Sequence, residues 1–123
     1  MRFALGLLMV LHAFAHLPGV VISWQLAPIE GALYRTTLFS DRIEVGDAGM
    51  RVMGALWLIS ALGFGLAAFG AFTTRDGWVM AAALVATFSL CLSVLAWPDS
   101  RIGVPLNLLI LAAIGVGLRA GWI

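Results

Sequence analysis

Residues 3–27 read FALGLLMVLHAFAHLPGVVISWQLA and contain no Asp, Glu, Arg or Lys. A helix needs about 20 such predominantly apolar residues to cross the hydrocarbon core of a bilayer, because each residue advances it by ~1.5 Å. Three more uncharged stretches, long enough to span a bilayer, follow at 52–72, 77–97 and 102–118. The pattern predicts four transmembrane helices.

The composition of the whole chain is that of a membrane protein. Of its 123 residues, 63% are hydrophobic and 11% are charged, and the mean hydropathy is +1.07. Soluble domains are typically about 45–50% apolar and about 25% charged. A chain this small cannot bury so much apolar surface within itself, so the lipid bilayer is its expected partner. The net charge of +1 gives no indication of nucleic-acid binding.

The connecting segments determine the expected topology. Residues 73–76 and 98–101 are so short that the helices on either side must be antiparallel neighbours, whereas residues 28–51 form a long, charged segment. We therefore predict an all-α fold, an integral membrane up-down four-helix bundle with one long extramembrane loop between helices 1 and 2. The chain is expected to be a single membrane domain, 1–123.

Smaller features refine this picture. Residues 29–39 of the loop are expected to form a short interfacial helix, and Gly46 and Gly49 to mark a turn before the second span. Pro18 interrupts the first span, where it should kink the helix and release the carbonyl group of Phe14.

Arginines are distributed almost evenly between the two ends of the bundle. Three lie on the side of the termini, at Arg2, Arg75 and Arg119, and four on the side of the long loop. The positive-inside rule counts Lys and Arg close to the ends of spans. Arg2, directly ahead of the first span, favours an orientation with both termini in the cytoplasm.

Two histidines are the sharpest functional feature. His12 and His16 lie four residues apart and therefore share one face of the first helix. Ionisable side chains in membrane spans avoid lipid and face the bundle interior. In an up-down bundle, polar residues from the other spans and their ends should converge on the half that contains His16: Asp47, Arg51, Trp57, Trp97, Asp99, Arg101 and Asn107.

This convergence predicts a pocket beneath the long loop. Its candidate ligand-binding residues are His12, His16, Trp57, Trp97, Asp99, Arg101 and Asn107, and its candidate catalytic residues are His12, His16 and Asp99. An acid–base or ligand-orienting histidine pair would suit a quinone, a lipid or a small metabolite. Alternatively, the histidines only hydrogen-bond neighbouring helices and stabilise the bundle.

A metal ion is a further alternative, with His12 and His16 as ligands, because two imidazoles at this spacing bind zinc on helices. A third ligand would have to come from Asp99, Asp47 or a methionine. Bis-histidine haem would need ligands on opposite sides of the ring, which two histidines on one helix face do not supply within a single chain. Metal ion, haem and quinone are thus the cofactors considered, and the sequence establishes none of them.

The segment 97–101, Trp-Pro-Asp-Ser-Arg, also has two interpretations. In one, Trp97 anchors the helix at the membrane interface, Pro98 ends it, and Asp99 with Ser100 caps the next helix. In the other, Asp99 and Arg101 bind a polar head group above the His16 pocket.

Three motifs together resemble a known kind of protein. They are His12-x-x-x-His16-x-x-Gly19 in the first span, the second-span segment 53–58, and the segment 97–103 leading to Asn107. They resemble small bacterial membrane proteins with four spans, broadly the DoxX-like group. The resemblance covers nearly the whole chain. Pro98 stands where members usually have Ser, and the first loop is longer here.

The resemblance implies a four-helix fold in the bacterial inner membrane and an association with respiratory or thiol-redox complexes. It supplies no reaction, and Cys91, the only cysteine, has no resolving partner for thiol exchange. Our first hypothesis is a binding module for a small apolar or amphipathic ligand, serving as an accessory subunit of a membrane redox complex. The alternatives are a small membrane-embedded enzyme, an oligomeric transporter subunit, and a purely structural subunit in a larger complex.

Overall fold

The computed structural model describes residues 1–123 and contains four long helices. They are α1 (Arg2–Ser23), α2 (Gly46–Thr73), α3 (Trp78–Leu95) and α4 (Gly103–Ala120). All four are long and apolar enough to cross a membrane. A backbone in lipid must satisfy its own hydrogen bonds, which is why these stretches fold as helices. The predicted four-helix architecture is confirmed.

Packing between the helices follows the order of the chain. α1 packs mainly on α2, α2 on α3 and α3 on α4, while α1 and α4 touch only slightly. This is the contact pattern expected when helices that are consecutive in the chain pack as neighbours, and short links enforce it for α2–α3 and α3–α4. As a result, the seam between α1 and α4 is the loosest of the bundle.

The outer surface is apolar and the inner surface is made largely of small residues. Leu11, Phe14 and Leu66 are more than half exposed, which suits side chains in contact with lipid. Ala82 and Ala86 are fully buried in the largest core cluster, where small residues allow close approach of helices. Four-residue spacing of small residues therefore serves packing within the chain.

Two apolar clusters make up the core. The larger one fills the half of the bundle near the termini and includes Met9, Phe64 and Ile110. The smaller one lies under the long loop and includes Met53 and Trp57.

The long loop differs from its predicted structure. The expected interfacial helix at 29–39 is wrong: the loop instead contains a small antiparallel pair, β1 (Thr37–Leu38) and β2 (Ile43–Glu44), in which Leu38 faces Ile43. Gly31 inside the segment 29–39 and three consecutive residues at its end, Phe39 to Asp41, have positive φ, and a right-handed helix cannot pass through such residues.

The ends of the first two helices also differ from the uncharged stretches. α1 stops at Ser23, and the next residue, Trp24, donates its indole N–H to the carbonyl oxygen of Arg51 (2.8 Å). α2 begins at Gly46, which has φ +68°, so the turn expected around Gly46 and Gly49 is the first turn of the helix itself. At 28 residues, α2 is about 42 Å long and extends beyond a hydrocarbon core of about 30 Å.

Candidate ligand-binding site

The face of α1 that carries the histidines is buried against α2. His12 and His16 are 95% and 96% buried, respectively. The ring of Phe64 lies 4.8 Å from that of His12 and 5.4 Å from that of His16, and the ring of Trp57 lies 5.5 Å from that of His16. Gly19 permits this approach, since a Cβ there would lie 2.9 Å from two atoms of the Trp57 ring.

Two backbone carbonyl groups fix the hydrogen-bonding pattern of the polar side chains. A carbonyl oxygen can only accept, so His16 Nδ1 must donate to the oxygen of His12 (2.6 Å) and Asn107 Nδ2 to that of Gly103 (2.8 Å). The Asn107 amide is thereby oriented, and its Oδ1 accepts from His12 Nε2 (3.2 Å). The carbonyl of Phe14, which Pro18 leaves without its helical partner, is not an acceptor for His16.

Ser89 completes the network. Its Oγ accepts from Asn107 Nδ2 (3.0 Å), which leaves the hydroxyl hydrogen to donate to His16 Nε2 (2.6 Å). The side chains of His12, His16, Ser89 and Asn107 therefore link α1, α3 and α4, and two neutral imidazoles satisfy the pattern. Such an intramembrane network stabilises the bundle and orients both rings.

Two polar atoms remain outside this network. His12 Nδ1, which holds a lone pair when Nε2 carries the hydrogen, has no partner, and neither has the hydroxyl of Ser60. Both atoms are buried. A buried acceptor without a donor is uncommon in proteins, and this nitrogen is the one free hydrogen-bonding position on the histidine pair.

A cavity of about 510 Å³ lies beside the histidines and under the loop. Its volume is within the range of small-molecule sites, about 300–1,000 Å³. Its polar floor consists of His12 and His16, and the loop covers it with Leu38 and other residues. Its walls carry apolar, aromatic and hydroxyl side chains: Ile22, Ser23, Met50, Met53, Trp57, Ser93, Trp97 and Leu106.

The loop is held over the cavity by hydrogen bonds. The backbone N–H groups of Phe39 and Ser40 donate to the carbonyl oxygens of Leu95 (2.6 Å) and Trp97 (2.9 Å), which the end of α3 would otherwise leave unpaired. The loop is also attached to α2, because the hydroxyl of Tyr34 in the loop donates to Oδ1 of Asp47 in α2 (2.5 Å). This hydrogen bond to a carboxylate raises the pKa of Tyr34.

The predicted site residues divide into three groups. His12, His16, Trp57, Trp97 and Asp99 line the cavity. Asn107 is fully buried and does not line the cavity; it is connected to the cavity only by its hydrogen bond to His12. The third group, Arg101, Asp47 and Arg51, is exposed and does not line the cavity.

Several residues of the site were missed in the sequence. Ser89 is one of them. Its hydroxyl lies in an apolar span, and Ser93 follows four residues later on the same face, so this pair could have indicated a polar site. Met50, Met53 and Leu38 could not have been chosen, because nothing in their local sequence separates them from packing residues.

The donor set of the site does not fit a metal ion. No group of three or more His, Cys, Asp or Glu side chains comes together, and both ring nitrogens of His16 already have hydrogen-bond partners. The donor set does not fit haem either, since the two imidazoles stand edge to face only 4.6 Å apart and leave no space for a ring between them.

Comparison of the chain with protein-family models, curated protein sequences and solved structures finds no match.

Proposed function

We propose that this protein binds a small amphipathic ligand in the cavity between the histidine pair and the loop. The observation that carries the proposal is the cavity of about 510 Å³ that His12 and His16 floor inside an otherwise apolar bundle. The space lies between the ends of the helices and the loop, where a small molecule can be held by residues of both.

The cavity has polar groups without partners within the chain, and these suit a ligand with hydrogen-bonding atoms. Ser23, Ser93 and Trp57 line it and take part in no side-chain hydrogen bond. Met53 and Leu106 supply apolar surface beside them. A ligand with one polar end and an apolar body would satisfy both kinds of lining.

Access from the bilayer supports a ligand that dissolves in lipid. The lining includes Ala15 and Pro18 of α1 and Ile102 just before α4, and all three are exposed on the outside of the bundle. They belong to α1 and to the start of α4, which are the least closely packed pair of neighbouring helices. We propose that the ligand enters through the seam between these two helices.

A small membrane-embedded enzyme is the second candidate. One observation favours it: His12 Nδ1 is a buried nitrogen with no partner, and such a nitrogen can take a proton from a bound substrate. His16, with both nitrogens engaged, has none free to exchange a proton with a substrate. The resemblance to DoxX-like proteins extends the binding proposal to an accessory role in a membrane redox complex.

The binding proposal can be tested by filling the cavity with a larger side chain from the loop. Leu38→Trp adds a large ring at a lining position without changing the helices, and the matched control is Ile43→Trp on the paired strand, which does not line the cavity. We expect mass spectrometry of the purified protein to detect one amphipathic molecule per chain in wild type and Ile43→Trp. Leu38→Trp should lose it.

Equal amounts of the molecule in the two variants would contradict the proposal. A wild-type protein that carries nothing beyond the bulk lipid composition of its membrane would contradict it as well.

A further inference from the structure

We propose that the ligand of this cavity carries a positive charge at the end nearest the loop. This inference rests on the proposed function and adds the charge of the ligand. Three charged residues line the cavity: Arg35, Asp41 and Asp99. With one positive and two negative side chains, the lining has a net charge of −1.

Two of the three charges are already compensated. Asp41 lies 4.0 Å from Arg35 and also accepts a hydrogen bond from the Thr37 hydroxyl (2.6 Å). Asp99 is exposed and has neither a salt bridge nor a side-chain hydrogen bond within the chain, in which Arg35–Asp41 is the only salt bridge. Arg101, its neighbour in sequence, is exposed and does not line the cavity.

No cation inside the cavity balances Asp99. The floor consists of two imidazoles whose hydrogen bonds are those of the neutral form. The surrounding end of the molecule has the same sign, since the loop, the first six residues of α2 and the α3–α4 link together carry four arginines and five acidic residues. A cationic ligand would therefore be attracted from outside and would neutralise the carboxylate on binding.

Aromatic side chains in the lining favour a cation over an anion. Trp57 and Trp97 both line the cavity, and the face of an indole ring attracts positive charge. An amine or an onium group with an apolar body is thus the chemical class that the lining recognises. A carboxylate or a sulfate of the same size would meet Asp99 without a counter-charge.

Three tetrahedral aryl probes of similar size separate charge from shape. They are tetraphenylphosphonium, tetraphenylborate and neutral triphenylphosphine oxide, each measured by equilibrium dialysis against the full chain in zwitterionic nanodiscs, with empty nanodiscs subtracted. We expect saturable binding of the phosphonium ion, weaker binding of the neutral probe, and no saturable binding of the borate.

The variant Asp99→Asn should weaken phosphonium binding by roughly two- to fivefold, the range for a solvated ion pair of up to about 1 kcal/mol. Asp76→Asn, at the opposite end of the bundle, is the matched control and should leave it unchanged. Thermal unfolding of both variants checks that they fold.

The possible failures are distinguishable. The proposed charge of the ligand is contradicted if the neutral probe binds as tightly as the phosphonium ion, or if Asp99→Asn and Asp76→Asn behave alike. Either result leaves the proposed binding cavity uncontradicted. If the borate binds most tightly, the sign is reversed. If none of the three probes saturates, both this inference and the proposed function are contradicted.

Discussion

Asn107 connects three helices through one side chain. It lies on α4, accepts from His12 on α1, and donates to Ser89 on α3 and to the carbonyl of Gly103. Because the backbone carbonyl fixes the orientation of its amide, it also determines which nitrogen of His12 carries hydrogen. Its role in the site is thus to position His12 and not to contact the ligand.

Asn107→Leu should destabilise the protein by about 1–2 kcal/mol, because His12 Nε2 and Ser89 Oγ lose a partner in lipid, where interhelical hydrogen bonds average about 0.6 kcal/mol and reach about 1.7 kcal/mol. Equilibrium unfolding in SDS measures the loss. A double-mutant cycle with His12→Phe should give a coupling energy of the same order. Strictly additive effects would show that the hydrogen bond between the two side chains is not formed.

Tyr34 reports on the attachment of the loop. It is the only tyrosine of the chain, so its ionisation can be followed by tyrosinate absorbance. Asp47→Asn should lower the pKa of Tyr34 towards its ordinary value, since the amide no longer carries the negative charge that opposes ionisation. Asp41→Asn, which removes a carboxylate bonded to Thr37 instead, should leave the titration unchanged.

The same shift has a consequence for stability. The pKa of Tyr34 is raised in the folded protein, so the hydrogen bond stabilises the fold fully below the unfolded value of about 10. Its contribution is lost as pH rises through the raised pKa. Unfolding experiments that show more stability at pH values above that range would contradict this assignment.

The four helices were predictable and the loop was not, for different physical reasons. An uncharged stretch such as 77–97 has no alternative to a helix in lipid, because its backbone groups find no water there. The loop turn at Phe39, Ser40 and Asp41 has positive φ without a glycine or an asparagine, so it lacks the usual sequence signal. Its conformation comes from contacts with the end of α3.

The site was predictable to a similar extent. His12, His16 and Asn107 could be chosen because polar groups in membrane spans need partners. Ser89 is harder to choose, since a serine hydroxyl can also bond to its own helix. The positions of Asp99 and Arg101 relative to the cavity depend on the link between α3 and α4, which the residue types alone do not define.

The close packing of α1 on α2 depends on Gly19. Gly19→Ala places a methyl group 2.9 Å from the Trp57 ring, so we expect a destabilisation of about 1–3 kcal/mol, as for other overpacked sites. Gly65→Ala is the control, because a Cβ there meets nothing within 4 Å; it should be neutral or slightly stabilising. Equal effects of the two substitutions in SDS unfolding would mean that Trp57 does not lie against α1.

For the molecule in its membrane, we propose that both termini lie in the cytoplasm and the loop on the opposite side of a bacterial inner membrane. Arg2, directly before α1, supports this orientation. A fluorescent-protein fusion at the C-terminus should be fluorescent, and alkaline phosphatase inserted at Gly31 should be active. The opposite pair of signals would reverse the orientation, and both signals at each site would indicate dual insertion.

The charges of the whole molecule are arranged so that the loop end carries the acidic excess and the cavity. The loop, the first turn of α2 and the α3–α4 link hold five of the six acidic residues. The histidine network lies at the inner limit of this half, and the larger apolar core cluster fills the other. Binding and packing are thereby separated along the axis of the bundle.

An experimental structure of the full chain in lipid nanodiscs is the most direct test of the binding cavity. We predict discrete density bounded by His12, His16, Trp57, Leu38 and Asp99, with the hydrogen bond between His12 and Asn107 retained. A collapsed cavity, in which Leu38 packs directly on the His16 ring and no density separates them, would contradict the proposal.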